Sequence, residues 1–349
     1  MPVASGPAAP DVRAAIEAAG GAIAFSAFMD LALYGPHGFY ASRAAGRRGD
    51  FITSPEVGPL FGAVVARSLD ATWERLGRPD PFSVVEAGAG PGTLARSVLA
   101  ATPRCAPALR YVAVEVSAAQ RERHPVGVES RATMPEEPIE GVVLANELLD
   151  NLPFRLAVHD GAWREAFVTV APDGSFAEVL SAPFDPVPDV LPPHPPHGAR
   201  APLQDAAADW VLAARSHVGR GSVLVLDYVR PSTAELVALP WRSWLRTYRG
   251  HERGSHPLAD VGAQDITVDV AADQLLSEPD AMRSQAQFLQ LHGIDELVEE
   301  GRAAWAAAAA RPDLRAMAMR SRVTEAEALL DPAGLGGFSV LEWTIASEG

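Results

Sequence analysis

Apolar runs and helically spaced apolar positions alternate along most of this chain. Phe82, Val84 and Val85 lead into three glycines at alternate positions, Gly88, Gly90 and Gly92, and helical spacing (Leu94, Ala95, Val98, Leu99) starts at once. That pattern predicts strand, tight turn, helix. Further buried strands are predicted at Tyr111 to Glu115, along GVVLANE to Glu147, and along SVLVLDY to Tyr228. Strands separated in this way by helical stretches imply an α/β fold, a parallel sheet flanked by helices, whose ligands lie beyond the carboxyl ends of the strands.

Upstream, the apolar positions between Val12 and Leu33 suggest helices broken at Gly20 and Gly21, preceded by a frayed tail over residues 1 to 11. A long loop rich in glycine and aromatic residues follows, and its Tyr34, Tyr40 and Phe51 either plug the interior or line a site. It ends in a helix start, with Ser54 as cap, Pro55 in the first helical position and Glu56 at the positive end of the dipole. Downstream come two β-like stretches, LAVHD and REAFVTVAPDG, and a proline-rich loop over 183 to 202. A helix (Ala206 to Val218), a strand (Asp265 to Val270), helices at Trp305 to Ala310 and Ala316 to Leu330, and a last strand, FSVLEWTIA, complete the pattern. The expected organisation is an N-terminal helical extension and loop over 1–80, then a Rossmann-like domain over 81–349 with an insertion near 155–205 and helical additions near 293–330.

Length and charge narrow the options. At 349 residues the chain exceeds a typical single domain. A net charge of −15 repels a polyanionic backbone and attracts cations, so nucleic acid is not an expected partner. One stretch, WRSWLRTYRGHERG, interleaves aromatics with arginines and is the only counter-signal. No apolar run approaches the ~18 residues of a membrane span, and the N-terminal stretch has no long uncharged apolar segment, so a cytoplasmic protein is expected. Cys105, the single cysteine, excludes an internal disulfide and a multi-cysteine zinc site. His194 and His197 have no carboxylates clustered beside them in sequence, and no metal is expected.

The glycine loop carries the candidate chemistry. A dinucleotide fingerprint would place its third glycine where Thr93 stands, so NAD is disfavoured. Glu86 before the loop, and Glu115 ending the next strand, give the pattern of an S-adenosylmethionine site in which a carboxylate accepts from the two ribose hydroxyls. Asn146, Glu147 and Asp150 follow another strand end on the same side of the sheet, as site residues or as a helix cap and its first turn.

GDFITSPEVGPLFG, VVEAGAGPGTL, LANELLDNLP, YRGH with PLADVGAQDIT, and QAQFLQLHGI together resemble the MidA-like S-adenosylmethionine-dependent methyltransferases, from about Phe28 to Ile294. The mitochondrial member of that family is a complex I assembly factor that dimethylates an arginine symmetrically. The resemblance implies cofactor contacts from Glu86, Gly88, Gly90, Gly92, Thr93 and Glu115, with Asp50 to Glu56, including Thr53 and Ser54, closing over the site. Asn146 and Glu147 would face the methyl acceptor, with Asp150 or Asp50 as a second acid. Two departures stand out: Pro91 replaces the usual arginine of the loop, and Leu148 and Leu149 replace two phenylalanines. Three activities are compatible with these residues. One is arginine N-methylation of a protein, a complex I subunit by resemblance. The second is methylation of a small molecule with His251 or His256 as base. The third is a non-catalytic binding or assembly factor. A homodimer is left open.

Overall fold

The computed structural model describes residues 5–41, 53–250, 252–308, 310–311 and 313–346. They fall into two compact units, each assembled from separate stretches: Met1–Phe51, Leu148–Ala213 and Tyr228–Glu278 in the first, Ile52–Glu147, Ala214–Asp227 and Pro279–Gly349 in the second.

The second unit is built on a seven-stranded sheet: Phe82–Ala87 (β1), Leu109–Val114 (β2), Glu129–Arg131 (β3), Ile139–Asn146 (β4), Val218–Asp227 (β5), Ala281–Ser284 (β6) and Ser339–Ile345 (β7). Their spatial order is β3-β2-β1-β4-β5-β7-β6. β1 to β5 are mutually parallel, as the alternation predicts. β7 is the one reversed strand, antiparallel to both β5 and β6. All six residues of β1 are buried, since neither face of such a sheet meets water. Leu60, Phe61, Val64 and Leu69 of helix Pro59–Arg75 pack in one core cluster with Phe82, Val84, Leu94, Val98 and Leu144.

One rung of this sheet sets two glycines side by side. Ser83, Gly141 and Gly221 lie side by side on β1, β4 and β5. Gly141 and Gly221 have φ of +150° and +146°. A Cβ on Gly141 would run into the Ser83 carbonyl, and one on Gly221 into that of Gly141.

The first unit holds antiparallel pairings that the sequence pattern only partly announces. Ala22–Ala24, Trp163–Val170, Arg155–His159 and Arg200–Leu203 pair in that order, and Phe176–Pro183 pairs with Trp163–Val170. Regular strands thus enter and leave the proline-rich stretch, which was expected to be loop throughout. Leu245–Arg249 pairs with Glu252–Arg253 and Asp265–Val268. Two residues of the arginine-aromatic island are not exposed for stacking: Trp244 is fully buried, and Arg246, ion-paired to Asp269 at 2.6 Å, is 11% exposed. Nor is the N-terminal stretch frayed from Ser5 on. Ala8 is fully buried, its N–H donates to the Val261 carbonyl, and the Val261 N–H donates to Ser5.

One helix start shifts by a residue. Thr53, not Ser54, is the cap of helix Ser54–Val57, and Pro55 stands one position further in. Pro91 lies outside its helix, because Gly92 is the cap of Thr93–Ala100. Among the described residues no helix is long and apolar enough to cross a membrane, and no group of three or more His, Cys, Asp or Glu is arranged to hold a metal.

Candidate active site

At the carboxyl end of β1 the chain makes three left-handed steps, with φ of +67° at Gly88, +52° at Gly90 and +74° at Gly92. Each would strain a residue with a Cβ, so the alternate glycines are a backbone requirement. The loop is held from both sides. Glu115, following β2, accepts from the Gly90 N–H at 3.0 Å and from the Ser117 N–H at 2.8 Å. His124 lies 2.9 Å from the Gly90 carbonyl and 2.8 Å from the Ser130 hydroxyl. Burial holds the His124 pKa below its ordinary value. The neutral ring must then carry its proton on Nε2, the only way to donate to a carbonyl.

Glu86 is buried at 4% exposure, and its carboxylate receives the Tyr111 hydroxyl at 2.7 Å and the Ala95 N–H. Ala95 sits in the first turn of helix Thr93–Ala100, whose leading N–H groups lack helical partners. Glu86 therefore closes that helix start from the preceding strand. Burial pushes its pKa up to about 7 against the opposing pull of these two donors.

Across the sheet, Asn146 ends β4 and its amide donates to Glu147 Oε1 at 3.1 Å. Glu147 has φ of +51°, and its N–H donates to the Leu226 carbonyl of β5 at 2.8 Å. A non-glycine residue in this region costs about 1–3 kcal/mol, which fits a side chain held in place by its surroundings. The residue is half-buried by surface area, yet its carboxylate is crowded by protein. Burial raises its pKa to about 8, with Asp227 and Glu56 adding repulsion, against hydrogen bonds from Asn146 and the Ser54 N–H.

The sequence-predicted residues thus form two groups in the second unit. Gly88, Gly90, Gly92, Thr93, Glu86 and Glu115 meet at the ends of β1 and β2. Asn146, Glu147 and Ser54 meet at the end of β4. Ser54 is fully buried, with its hydroxyl on Gln285 Oε1 at 2.8 Å, while Thr53 supplies the cap before it. Asp150 belongs to the first unit, in the turn Leu149–Asn151, 2% exposed. There Tyr34 and Tyr40 stack at 5.5 Å, and the Tyr40 hydroxyl reaches Asn151 Oδ1 and Asp265 Oδ1, each at 3.1 Å. Asp50, His251 and Phe51 lie outside the described residues. Sequence reasoning missed Ser117, His124 and Asp227 as parts of these groups; only Asp227, ending a buried strand, carried a signal.

The residues at β1 and β2 fit an adenosyl cofactor. A carboxylate has about four lone-pair positions, and Glu115 spends two on backbone N–H groups. The buried Ser117 hydroxyl beside it finds no partner among the described residues. Among the described residues nothing stands within 4 Å of where a Gly90 Cβ would be, so they leave that face of the loop open.

This strand order, with only β7 reversed, a glycine loop after β1 and an acid after β2, defines a class I, Rossmann-like S-adenosylmethionine-dependent methyltransferase. Residues 64–287 match the family described as "putative S-adenosyl-L-methionine-dependent methyltransferase", and the chain belongs to that family. It is 30% identical over 294 residues to the Drosophila melanogaster "Protein arginine methyltransferase NDUFAF7 homolog, mitochondrial", covering 72% of this chain and 65% of that one. The Homo sapiens protein arginine methyltransferase NDUFAF7, mitochondrial, is 27% identical over 303 residues, covering 72% and 64%. The chain thus spans just under two thirds of the length of these two relatives. A COG1565 superfamily member from Burkholderia thailandensis, solved bound to S-adenosyl-homocysteine, superposes with a TM-score of 0.82 at 27% identity, over 98% of this chain and 92% of that one. The MidA-like resemblance and the cofactor expected from the sequence both stand.

Proposed function

We propose that the protein is a protein arginine N-methyltransferase. The observation that carries this reading is the acidic end of β4 and β5, where the half-buried Glu147 carboxylate faces repulsion from Asp227 and Glu56. Such a cluster is relieved by a cation, and a guanidinium is a cation with two parallel N–H groups for one carboxylate. The names of the relatives support the same acceptor.

S-adenosylmethionine supplies a methyl group on a sulfonium, an electrophile that needs no further activation. Glu115 and the glycine loop are the residues to hold it. The guanidinium is a poor nucleophile because its charge is shared over three nitrogens. Glu147 would grip two of its N–H groups, fix its plane and draw charge away from the nitrogen that attacks. Asn146, donating to Glu147 Oε1, keeps that carboxylate turned to its task. Alignment of the attacking nitrogen with the reacting carbon then provides most of the acceleration. A complex I subunit and symmetric dimethylation are the acceptor and product that the family resemblance suggests.

The test is to incubate the purified protein with methyl-labelled S-adenosylmethionine and an extract of cells lacking it, then to hydrolyse the labelled material. Labelled methylarginine in protein is the expected result. Label confined to small molecules would overturn the proposal in favour of a small-molecule acceptor.

A further inference from the structure

The first unit holds a polar cluster of its own. Arg246 on strand Leu245–Arg249 and Thr267 on strand Asp265–Val268 are register partners, so their side chains stand together on one face of the sheet. The Arg246 guanidinium lies over the Tyr228 ring at 4.9 Å and is 11% exposed. Its Nη1 is taken up by Asp269 Oδ1 at 2.6 Å and the Ser243 carbonyl at 2.9 Å. Nε and Nη2 are buried and find no partner among the described residues, and neither does the buried Thr267 hydroxyl.

This pair is not arbitrary. Nε and Nη2 form the side-on edge of a guanidinium, two parallel donors spaced to match the two oxygens of a carboxylate. The charges lean the same way. Arg230 binds the other oxygen of Asp269 at 3.0 Å, so two guanidiniums share this one carboxylate. Buried donors of this kind are rarely left unmet in a folded protein. The Thr267 hydroxyl, on the same face of the sheet, can add a third hydrogen bond to a bound oxygen.

We infer that Arg246 and Thr267 form a receptor for a carboxylate group, with Tyr228 as the platform beneath the guanidinium. This site stands whatever the methyl acceptor proves to be, and its test needs no methyl transfer. In protein labelled with 15N-arginine, the Arg246 Nε–H resonance is identified by its loss in Arg246→Lys and followed during titration with sodium glutarate, sodium acetate or inorganic phosphate, at ionic strength held constant with sodium chloride. A saturating shift with the carboxylates, absent in the chloride control, is expected. Thr267→Val keeps the Arg246–Asp269 pair and should weaken glutarate binding about 5-fold, the worth of one hydrogen bond. No saturating shift, or an unchanged affinity in Thr267→Val, would overturn the proposal. Phosphate binding as tight as glutarate would overturn its carboxylate selectivity. A crystal soaked in glutarate should show the dicarboxylate on the Nε–Nη2 edge; an ordered water only would refute it.

Discussion

Glu115 and Gly90, 25 residues apart in sequence, are joined by a 3.0 Å hydrogen bond from the glycine's N–H to Oε2 of the acid. The acid that marks the cofactor site in sequence is therefore also a strut of the glycine loop. Its replacement should act twice, by loosening the loop and by removing an acceptor for the ribose. Glu115→Ala is expected to weaken S-adenosyl-homocysteine binding roughly 100-fold, about two charge-assisted hydrogen bonds. Calorimetric titration checks this, and an unchanged Kd would separate Glu115 from the cofactor.

The loop glycines should differ in cost. At Gly90 a methyl meets nothing within 4 Å among the described residues, so Gly90→Ala carries the left-handed backbone penalty, about 1 kcal/mol. At Gly92 the methyl would lie 2.8 Å from Pro125 Cδ and 3.3 Å from the His124 ring. Gly92→Ala should be the more destabilising by a further 1–3 kcal/mol or so. Chemical denaturation of the two variants without cofactor would expose the reverse order.

Glu147 makes a pH prediction with a definite sign. Its folded pKa, about 8, stands above the ordinary value. Below about 8 the empty site holds a neutral carboxyl, and a guanidinium must displace its proton. The acceptor KM should accordingly fall as pH rises toward 8 and then level. Glu147→Gln should flatten that profile and reduce kcat roughly 100-fold or more while sparing cofactor affinity. Stability carries the opposite slope. The native state holds this proton more tightly than the unfolded chain, so the contribution is full below the ordinary carboxylate range and is lost as pH rises through about 8. Denaturation midpoints of wild type and Glu147→Gln, compared at pH 5 and pH 9, would show whether that slope vanishes.

Cys105 should be inert in the native protein. It is fully buried, and its thiol is pushed up to about 12 by burial first and by Asp70 next. Asp70 accepts from the Cys105 N–H at 2.8 Å and the Arg104 N–H at 3.0 Å. Iodoacetamide at pH 8 is expected to leave the folded protein unlabelled and to modify it after denaturation. Fast labelling of native protein would contradict this.

The grouping at the ends of β1 and β2 was legible because it is local. Three glycines within five residues announce three left-handed steps, and Glu115 follows one strand and one helix later. Asn146 and Glu147 were legible for the same reason, since a strand end is visible in sequence. Long-range relationships were not. Nothing around Ser339–Ile345 tells it to run against Val218–Asp227, because a buried strand reads the same in either direction. Likewise nothing near Ser5 or Ala8 announces the pairing with Val261. Pro91 stays in the loop because Gly92, still left-handed, caps the helix that follows. The partners of Glu86, Tyr111 and Ala95, carry no sequence signal, because they come together only when the sheet and helix have formed.

The docking of Ser5 and Ala8 on Val261 ties the beginning of the first unit to one of its last segments. As the chain leaves the ribosome, the opening residues have no place to settle until some 250 more have been made. The first unit is therefore a late product of synthesis although it contains the first helix. No single continuous fragment that omits the second unit's strands can reproduce it, and excision of this unit for separate study would need its three segments joined anew.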